Sequence, residues 1–199
     1  VLRNTPKYHG EATYFLAQVE ELAGNKQLAI GLYRSIGKGD FRVDAVIRAS
    51  VLLVDVGQLA LAREELAQTR ITHADRAEDL YIAETQVLQK AGESRQEILD
   101  LYSTAIGAHP GSNDLLYNRG LYYSEIDEYA AMEADFKAVL ARDKDHAESL
   151  NALGYMLADR GVRLDEALAY ILRAHKLSPD NAAILDSLGW AYYRKGEYA

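Results

Sequence analysis

The chain has 199 residues and an acidic balance, with 30 Asp plus Glu against 22 Lys plus Arg and a formal net charge of −8. An acidic chain without a basic stripe is not expected to bind nucleic acid or an anionic membrane surface. The absence of cysteine excludes disulfides, thiolate zinc sites and cysteine nucleophiles, but leaves the cellular compartment open.

The first predicted element is a helical unit that starts at Gly10, and similar units follow along the whole chain. The spacing between successive starts is 33 to 35 residues. The predicted starts are Gly10, Val43, Glu78, Asn113, Ala147 and Ala182, the last opening a truncated unit. A period of this length is typical of stacked helix–turn–helix units, each of which needs its neighbours to bury its apolar face.

Three positions of the unit repeat in kind. The eighth is always small, which lets two helices approach closely: Ala17, Ser50, Thr85, Gly120, Gly154 and Gly189. A turn is predicted seven residues later, where glycine favours the end of a helix: Gly24, Gly57, Gly92, Asp127, Gly161 and Gly196. Large apolar residues then stand in the second helix: Tyr33, Leu66, Tyr102, Phe136 and Ile171.

The segment SIGKGDF, residues 35–41, contains glycines around a lysine and could be mistaken for a phosphate-binding loop. It lacks the GxxxxGK[ST] spacing and a preceding strand. Its glycines follow a predicted helix, so the end of a helix is the favoured interpretation.

The unit that starts at Ala147 is the most regular. Its first helix places Leu150, Leu153, Gly154 and Leu157 on one face. Its second helix repeats that spacing with Ala167, Leu168, Ile171, Leu172 and His175. Pro179 then ends the helix, because proline cannot continue the hydrogen-bond ladder.

The last segment, LDSLGWAYYRKGEYA, predicts the first helix of a sixth unit, with Leu185, Leu188, Gly189 and Tyr192 in phase. Tyr198 and Ala199 would open its second helix. Both ends of the sequence are therefore expected to be cut from a longer chain. An exposed aromatic face on this helix is expected to support a weak dimer.

No catalytic or metal-binding pattern stands out, so no enzyme activity, metal or cofactor is expected. The histidines are scattered, and no pair lies three or four residues apart: His9, His73, His109, His146 and His175. Neither an HExxH helix nor a GxSxG elbow occurs.

The alternation of small and large residues resembles the tetratricopeptide repeat. It is clearest in Leu153, Gly154, Leu157, Ala167, Ile171, Ala174 and Pro179. The resemblance implies an all-α fold, a right-handed superhelical α-solenoid of helix–turn–helix repeats over residues 1–199, with first helices lining a concave groove. Two residues depart from the family pattern: Ile98 replaces a small residue and Arg119 a large apolar one.

The second position of the repeat is acidic in five cases: Glu11, Asp44, Asp79, Asp114 and Glu148. Acidic groups near a helix N-terminus stabilise the helix by ~0.3–1 kcal/mol each, and this interpretation explains every case. An acidic rim that recruits a basic partner is a compatible second interpretation.

The family geometry places repeat positions 2, 5, 9 and 12 of each first helix toward the groove. The larger polar and aromatic residues there are the predicted protein-binding residues: Tyr14, Gln18, Gln86, Gln89, Tyr117, Asn151, Tyr155, Asp186, Trp190 and Tyr193. Packing under a following repeat is the alternative for Trp190. The cationic set with which some relatives hold a terminal carboxylate is not reproduced, since Asp44, Ile47 and Ile82 occupy its positions.

The segment from Leu150 to Ala199 is similar to bacterial outer-membrane lipoproteins with these repeats. They act as adaptors that bring a carboxyl-terminal processing protease to its substrates. The resemblance implies a non-catalytic scaffold that binds a partner protein or extended peptide on the periplasmic side of the outer membrane, with its lipid anchor outside this sequence. The alternative is a cytoplasmic location, or a substrate-selecting region of a larger enzyme such as a glycosyltransferase.

Overall fold

The computed structural model describes residues 9–197, in which eleven α-helices and one short 3-10 helix, Ala74–Arg76, occur without a β-strand. The predicted helical residues Tyr198 and Ala199 lie outside this range. The α-helices are His9–Leu22 (α1), Lys26–Arg34 (α2), Arg42–Asp55 (α3), Leu59–Thr72 (α4), Ala77–Ala91 (α5), Arg95–Ala108 (α6), Asn113–Glu125 (α7), Tyr129–Arg142 (α8), Ala147–Asp159 (α9), Leu164–Leu177 (α10) and Ala182–Lys195 (α11). The odd-numbered helices begin at, or one residue before, the six predicted repeat starts.

The chain divides into two compact units, residues 1–110 and 111–199. In the first unit, the described helices α1 to α6 form three successive hairpins, and helices α1 to α5 contribute residues to one apolar core. Small residues and bulky aliphatic ones alternate in that core, with Ala17, Ala49 and Leu66 fully buried. Burial of this kind is what each hairpin needs from its neighbours, because one hairpin alone leaves its apolar face in water.

The second unit contains the hairpins α7–α8 and α9–α10, and α11 packs against both α9 and α10. Its core contains the predicted face of α9, where Leu150, Leu153 and Leu157 are fully buried. On α10 the prediction is wrong for Leu172, which is 42% exposed. Leu172 follows Ile171 by one residue, and one helical step of about 100° turns its side chain away from α9.

The small eighth position has the packing role that the sequence predicts. A Cβ atom added to Gly154 would lie 2.6 Å from Ile171 Cγ1 and 2.8 Å from the backbone oxygen of Ala167. At Gly120 the added atom would meet the ring of Phe136 at 2.6 Å. Close contact between the helices of a hairpin therefore excludes any side chain at these two sites.

The predicted turn residues all adopt a left-handed backbone conformation. Their φ angles lie between 60° and 80°, and Asp127, the single non-glycine among them, has the smallest. Asparagine and aspartate tolerate this conformation better than most other residues. Tyr129 donates a hydrogen bond from its hydroxyl to the Asp127 carboxylate just after the turn.

Charged residues occupy the seventh repeat position in both units, where Arg119 is half-buried and Glu84 is buried. Arg119 on α7 donates two hydrogen bonds to the Asp135 carboxylate on α8, at 2.8 and 2.7 Å. Glu84 on α5 accepts from Arg70 at 2.8 Å and from Arg63 at 3.3 Å, both on α4. Arg119 departs from the apolar family pattern, and Asp135 compensates for it within the same hairpin.

Candidate functional site

Six of the ten predicted binding residues come together in the second unit. Helices α7, α8, α9 and α11 surround a cavity of about 390 Å³, here called the inner cavity. A neighbouring space of about 640 Å³, the outer cavity, lies against α9 and α11. Both cavities are bordered by Tyr155 and Asp186. Cavities of a few hundred Å³ are the usual size for sites that accept a ligand side chain or a small molecule.

Helical phase explains why these residues meet. Tyr117, Asn151 and Asp186 hold the fifth position of successive repeats, and all three line the inner cavity. The ninth position contributes Leu121 and Tyr155 to the inner cavity and Trp190 to the outer one. Because five and nine are separated by about one helical turn, each first helix presents both side chains on the same face.

The floor of the inner cavity is apolar, and its walls carry aromatic and polar groups. Met132, Phe136, Met156 and Ile184 are buried beneath it. The Tyr117 ring lies above them, with its centroid 5.7 Å from that of Phe136. An apolar floor with a few polar groups at the edge is the common composition of a peptide-side-chain pocket.

The position of Tyr117 is fixed from a second side by His146. Their ring centroids are 5.5 Å apart. The Nδ1 atom of His146 accepts a hydrogen bond from the backbone N–H of Ser149 at 3.1 Å and so caps α9. Burial of the Tyr117 hydroxyl raises its pKa, and the nearby Glu148 carboxylate raises it further. Tyr117 therefore remains a neutral hydroxyl at physiological pH.

The outer cavity is formed mainly by α11. Trp190 and Tyr193 stack there, with ring centroids 5.4 Å apart and planes inclined by 20°. The Arg194 guanidinium lies 5.5 Å from the centroid of the Trp190 ring. Tyr193 is 56% exposed, so a broad aromatic surface faces the cavity.

Two polar atoms beside these cavities are buried without a hydrogen-bond partner among the described residues. They are the side-chain oxygen of Asn151 and the indole nitrogen of Trp190. Buried polar groups are nearly always hydrogen-bonded in folded proteins, because leaving one unpaired costs about 1–3 kcal/mol. An acceptor on Asn151 and a donor on Trp190 are thus left unpaired beside the two cavities.

Sequence reasoning missed part of the site. Leu185 was predicted on the packed face of α11, but it is 46% exposed and lines the outer cavity. Ile184, one residue earlier, takes the buried place instead. The apolar wall residues Leu121 and Met156 were not selected, although the ninth repeat position could have indicated Leu121.

The four predicted residues of the first unit line neither of these two cavities. Tyr14 packs instead against Phe41, with ring centroids 5.0 Å apart, and its hydroxyl is hydrogen-bonded to Gln18. Gln86 is exposed and Gln89 is half-buried. Among the described residues, no three potential metal-ligand side chains lie in one group, and no helix has the length and apolar character of a membrane span.

Comparison with known proteins agrees with this architecture. Residues 117–182 match the tetratricopeptide repeat family. The TPR repeat-containing protein PA4667 of Pseudomonas aeruginosa is 35% identical over 190 residues, which is 95% of this chain. The chain spans about a third of that relative's length, 32%.

Solved structures show the same fold. TTC0263, a TPR protein of Thermus thermophilus, superimposes with a TM-score of 0.64 at 21% identity, covering 92% of this chain and 99% of the other. A tetratricopeptide repeat protein from Parabacteroides merdae gives a TM-score of 0.61 at 20% identity, covering 78% of this chain and 61% of the other. YrrB, described as a TPR protein with an unusual peptide-binding site, gives 0.53 at 18% identity, with coverages of 88% and 89%.

The hairpins, the small residues at their crossings and these similarities show the fold of tetratricopeptide repeat proteins, and residues 117–182 match the repeat of that family. Its all-α solenoid class is the one that the repeat period predicts. Proteins of this class are in general non-catalytic scaffolds that bind other proteins or peptides, and the fold is consistent with that role.

Proposed function

We propose that this chain is a non-catalytic binding module that holds an extended segment of a partner protein against the first helices of its second unit. The observation that carries the proposal is the meeting of Tyr117, Asn151, Tyr155 and Asp186, from three successive repeats, around a preformed cavity. Successive repeats present side chains from the same repeat positions at regular intervals, which suits a ligand whose own side chains are regularly spaced.

The chemistry of the cavities supports a peptide ligand. Tyrosine and tryptophan rings provide large apolar contacts with a polar tip, and they lose little conformational entropy on binding. The unpaired Asn151 oxygen and Trp190 N–H complement the N–H and C=O groups of an extended backbone. The description of YrrB as a peptide-binding TPR protein adds support by analogy of fold alone.

We further propose that the partner is a carboxyl-terminal processing protease or one of its substrates, and that the protein acts on the periplasmic side of the outer membrane. The resemblance of residues 150–199 to lipoprotein adaptors supports this role. The exposed face of α11, with Leu185 and Tyr193, also supports weak self-association of the chain.

Affinity purification of the full-length protein, followed by mass spectrometry, tests both proposals. The double variant Tyr117→Ala/Asn151→Ala should recover less of the partner while helix content stays unchanged. Gln86→Ala/Gln89→Ala is the control, because these residues lie in the first unit and line neither cavity. We expect roughly tenfold weaker binding for the first variant, since it removes one aromatic anchor and one hydrogen-bonding group.

Equal partner recovery by the wild type and both variants, at matched circular dichroism, would place binding elsewhere on the protein. Recovery of a glycosyltransferase, or of no protease, would count against the adaptor role. Fractionation of cells that express the full-length protein tests its location, and sedimentation velocity at two concentrations tests self-association.

A further inference from the structure

We propose that the two cavities of the second unit select a peptide segment in which a lysine or arginine side chain lies next to an apolar residue. This inference rests on the proposed peptide-binding function and specifies its ligand. The apolar residue would occupy the floor of the inner cavity, and the cation would bind at its acidic edge.

The charged residues that line the cavities all carry carboxylates. Glu148 and Asp186 border the inner cavity, and Asp159 and Asp186 border the outer one. Among the residues that the structure describes, no lysine or arginine lines either cavity. A site lined by carboxylates repels a C-terminal carboxylate and attracts an ammonium or guanidinium group.

These carboxylates are available to a ligand. Asp186 is exposed and forms no ion pair with any other described residue, and Glu148 lies 3.7 Å from His146 Nδ1. That nitrogen already accepts the Ser149 N–H, so it has no proton to give to Glu148. Neither carboxylate is therefore neutralised within the unit.

A second, independent feature, an unpaired side-chain oxygen, also favours a ligand that donates hydrogen bonds. The buried Asn151 oxygen lacks a partner, and Asn151 lines the same cavity as Glu148 and Asp186. Three acceptors thus border one space, whereas lysine and arginine side chains carry only donors. The exposed ring of Tyr155, which belongs to both cavities, adds a surface over which a cation is attracted.

In the first unit, acidic residues at the corresponding repeat position are paired with a cation from the same chain. Asp44 and Asp79 hold the same second position of their repeats as Glu148, and both bind the Arg76 guanidinium. The distance from Arg76 Nη2 to Asp44 Oδ1 is 3.0 Å. In the first unit the chain supplies this cation itself. We infer that in the second unit a partner supplies it.

Random decapeptides displayed on phage provide a direct test with the 199-residue chain as bait. Selected peptides should be enriched in lysine or arginine beside leucine, phenylalanine or another apolar residue. One selected peptide, labelled with fluorescein, is then measured by fluorescence anisotropy. Replacing its lysine with norleucine, which keeps the four-carbon stem and removes the ammonium group, should weaken binding roughly tenfold.

The matching protein variant is Glu148→Gln/Asp186→Asn. It should lower the affinity for the lysine peptide by a similar factor and leave the affinity for the norleucine peptide unchanged. Asp145→Asn/Glu166→Gln is the control: it removes two negative charges from residues of the same unit that line neither cavity. The control should change both affinities less than twofold, because these carboxylates lie outside the two cavities and already pair with Arg173 and Arg163.

The outcomes separate the two proposals. Suppose that a selected peptide binds more weakly to the Tyr117→Ala/Asn151→Ala variant, but that replacing its lysine with norleucine leaves its affinity unchanged. That result would overturn the cation preference and leave the peptide-binding function intact. Selection of acidic peptides would overturn the preference in the same way. Failure to select any peptide, with a correctly folded chain, would overturn both.

Discussion

The two units are built from the same repeat, but their inner surfaces differ. In the first unit Phe41 packs on Tyr14, and Arg76 binds Asp44 and Asp79. In the second unit Tyr117, Asn151 and Asp186 border a cavity, and no lysine or arginine occurs among the described residues that line it. Residues shared by all repeats therefore determine the scaffold, whereas a few residues outside the repeat pattern decide whether a binding surface remains open.

Phe41 and Arg76 illustrate how this difference arises. Each lies immediately before a first helix, Phe41 before α3 and Arg76 before α5. Residues at these points are not needed for the hairpin crossing, so they are free to reach over the inner face of the unit. In the second unit the corresponding places hold Ser112, His146 and Asn181, which cap their own helices instead.

The largest expected effect tests the shared scaffold at its tightest point. Gly154→Leu should lower the free energy of unfolding by about 3 kcal/mol, because the new side chain meets Ile171 and the backbone of Ala167. Gly189→Leu is the matched control, since nothing lies within 4 Å of an added Cβ atom there. Urea unfolding of both variants measures the difference, and equal midpoints would show that the eighth position does not limit hairpin packing.

A smaller effect is expected at the charged seventh position of the second unit. Arg119→Leu restores the apolar residue typical of the family but leaves the Asp135 carboxylate, which is 5% exposed, without its partner. We expect a loss of about 2 kcal/mol. Adding Asp135→Ala should recover most of that loss, because no unpaired carboxylate then remains buried.

Thermal unfolding of the wild type and of the single and double variants completes this cycle. A single variant as stable as the wild type would mean that the ion pair adds nothing to the hairpin. A double variant no better than the single one would mean that packing, and not the unpaired charge, causes the loss.

The smallest effect is expected where the first unit neutralises its own acidic groups. Arg76→Ala should lower the free energy of unfolding by less than about 1 kcal/mol, because its side chain is 39% exposed and surface ion pairs contribute little. The effect should shrink further in 1 M salt, which screens exposed charges. A loss that is large or insensitive to salt would assign Arg76 a packing role and weaken the contrast between the units.

Much of the scaffold could be predicted from the sequence. The burial of Leu153, the close crossing at Gly154 and the left-handed turn at Gly161 all follow from local pattern. Each depends on helical periodicity and on backbone sterics, which act over a few residues and are visible in a single chain. The repeat then multiplies the signal, because the same requirement appears at the same position in every unit.

The site was less accessible to such reasoning. Repeat phase placed Tyr117, Asn151 and Asp186 on inner faces, but it gave Tyr14 the same status, although Phe41 covers part of that ring. Phase also assigned Leu185 to the packed side of α11, where Ile184 is buried instead. One residue corresponds to about 100° of helix, so an error of one step moves a side chain from core to surface.

By itself, the sequence determined that this protein is an array of helical hairpins with small residues at the crossings, because those features depend on local propensity and on a repeated spacing. The tertiary structure alone decided that Asp135 forms an ion pair with Arg119 and that the Asn151 oxygen is buried and unpaired. It also decided that Arg76 pairs with Asp44 and Asp79. These outcomes depend on contacts between residues up to 32 positions apart. Such contacts carry no periodic signal, and only the packed helices bring their atoms within reach.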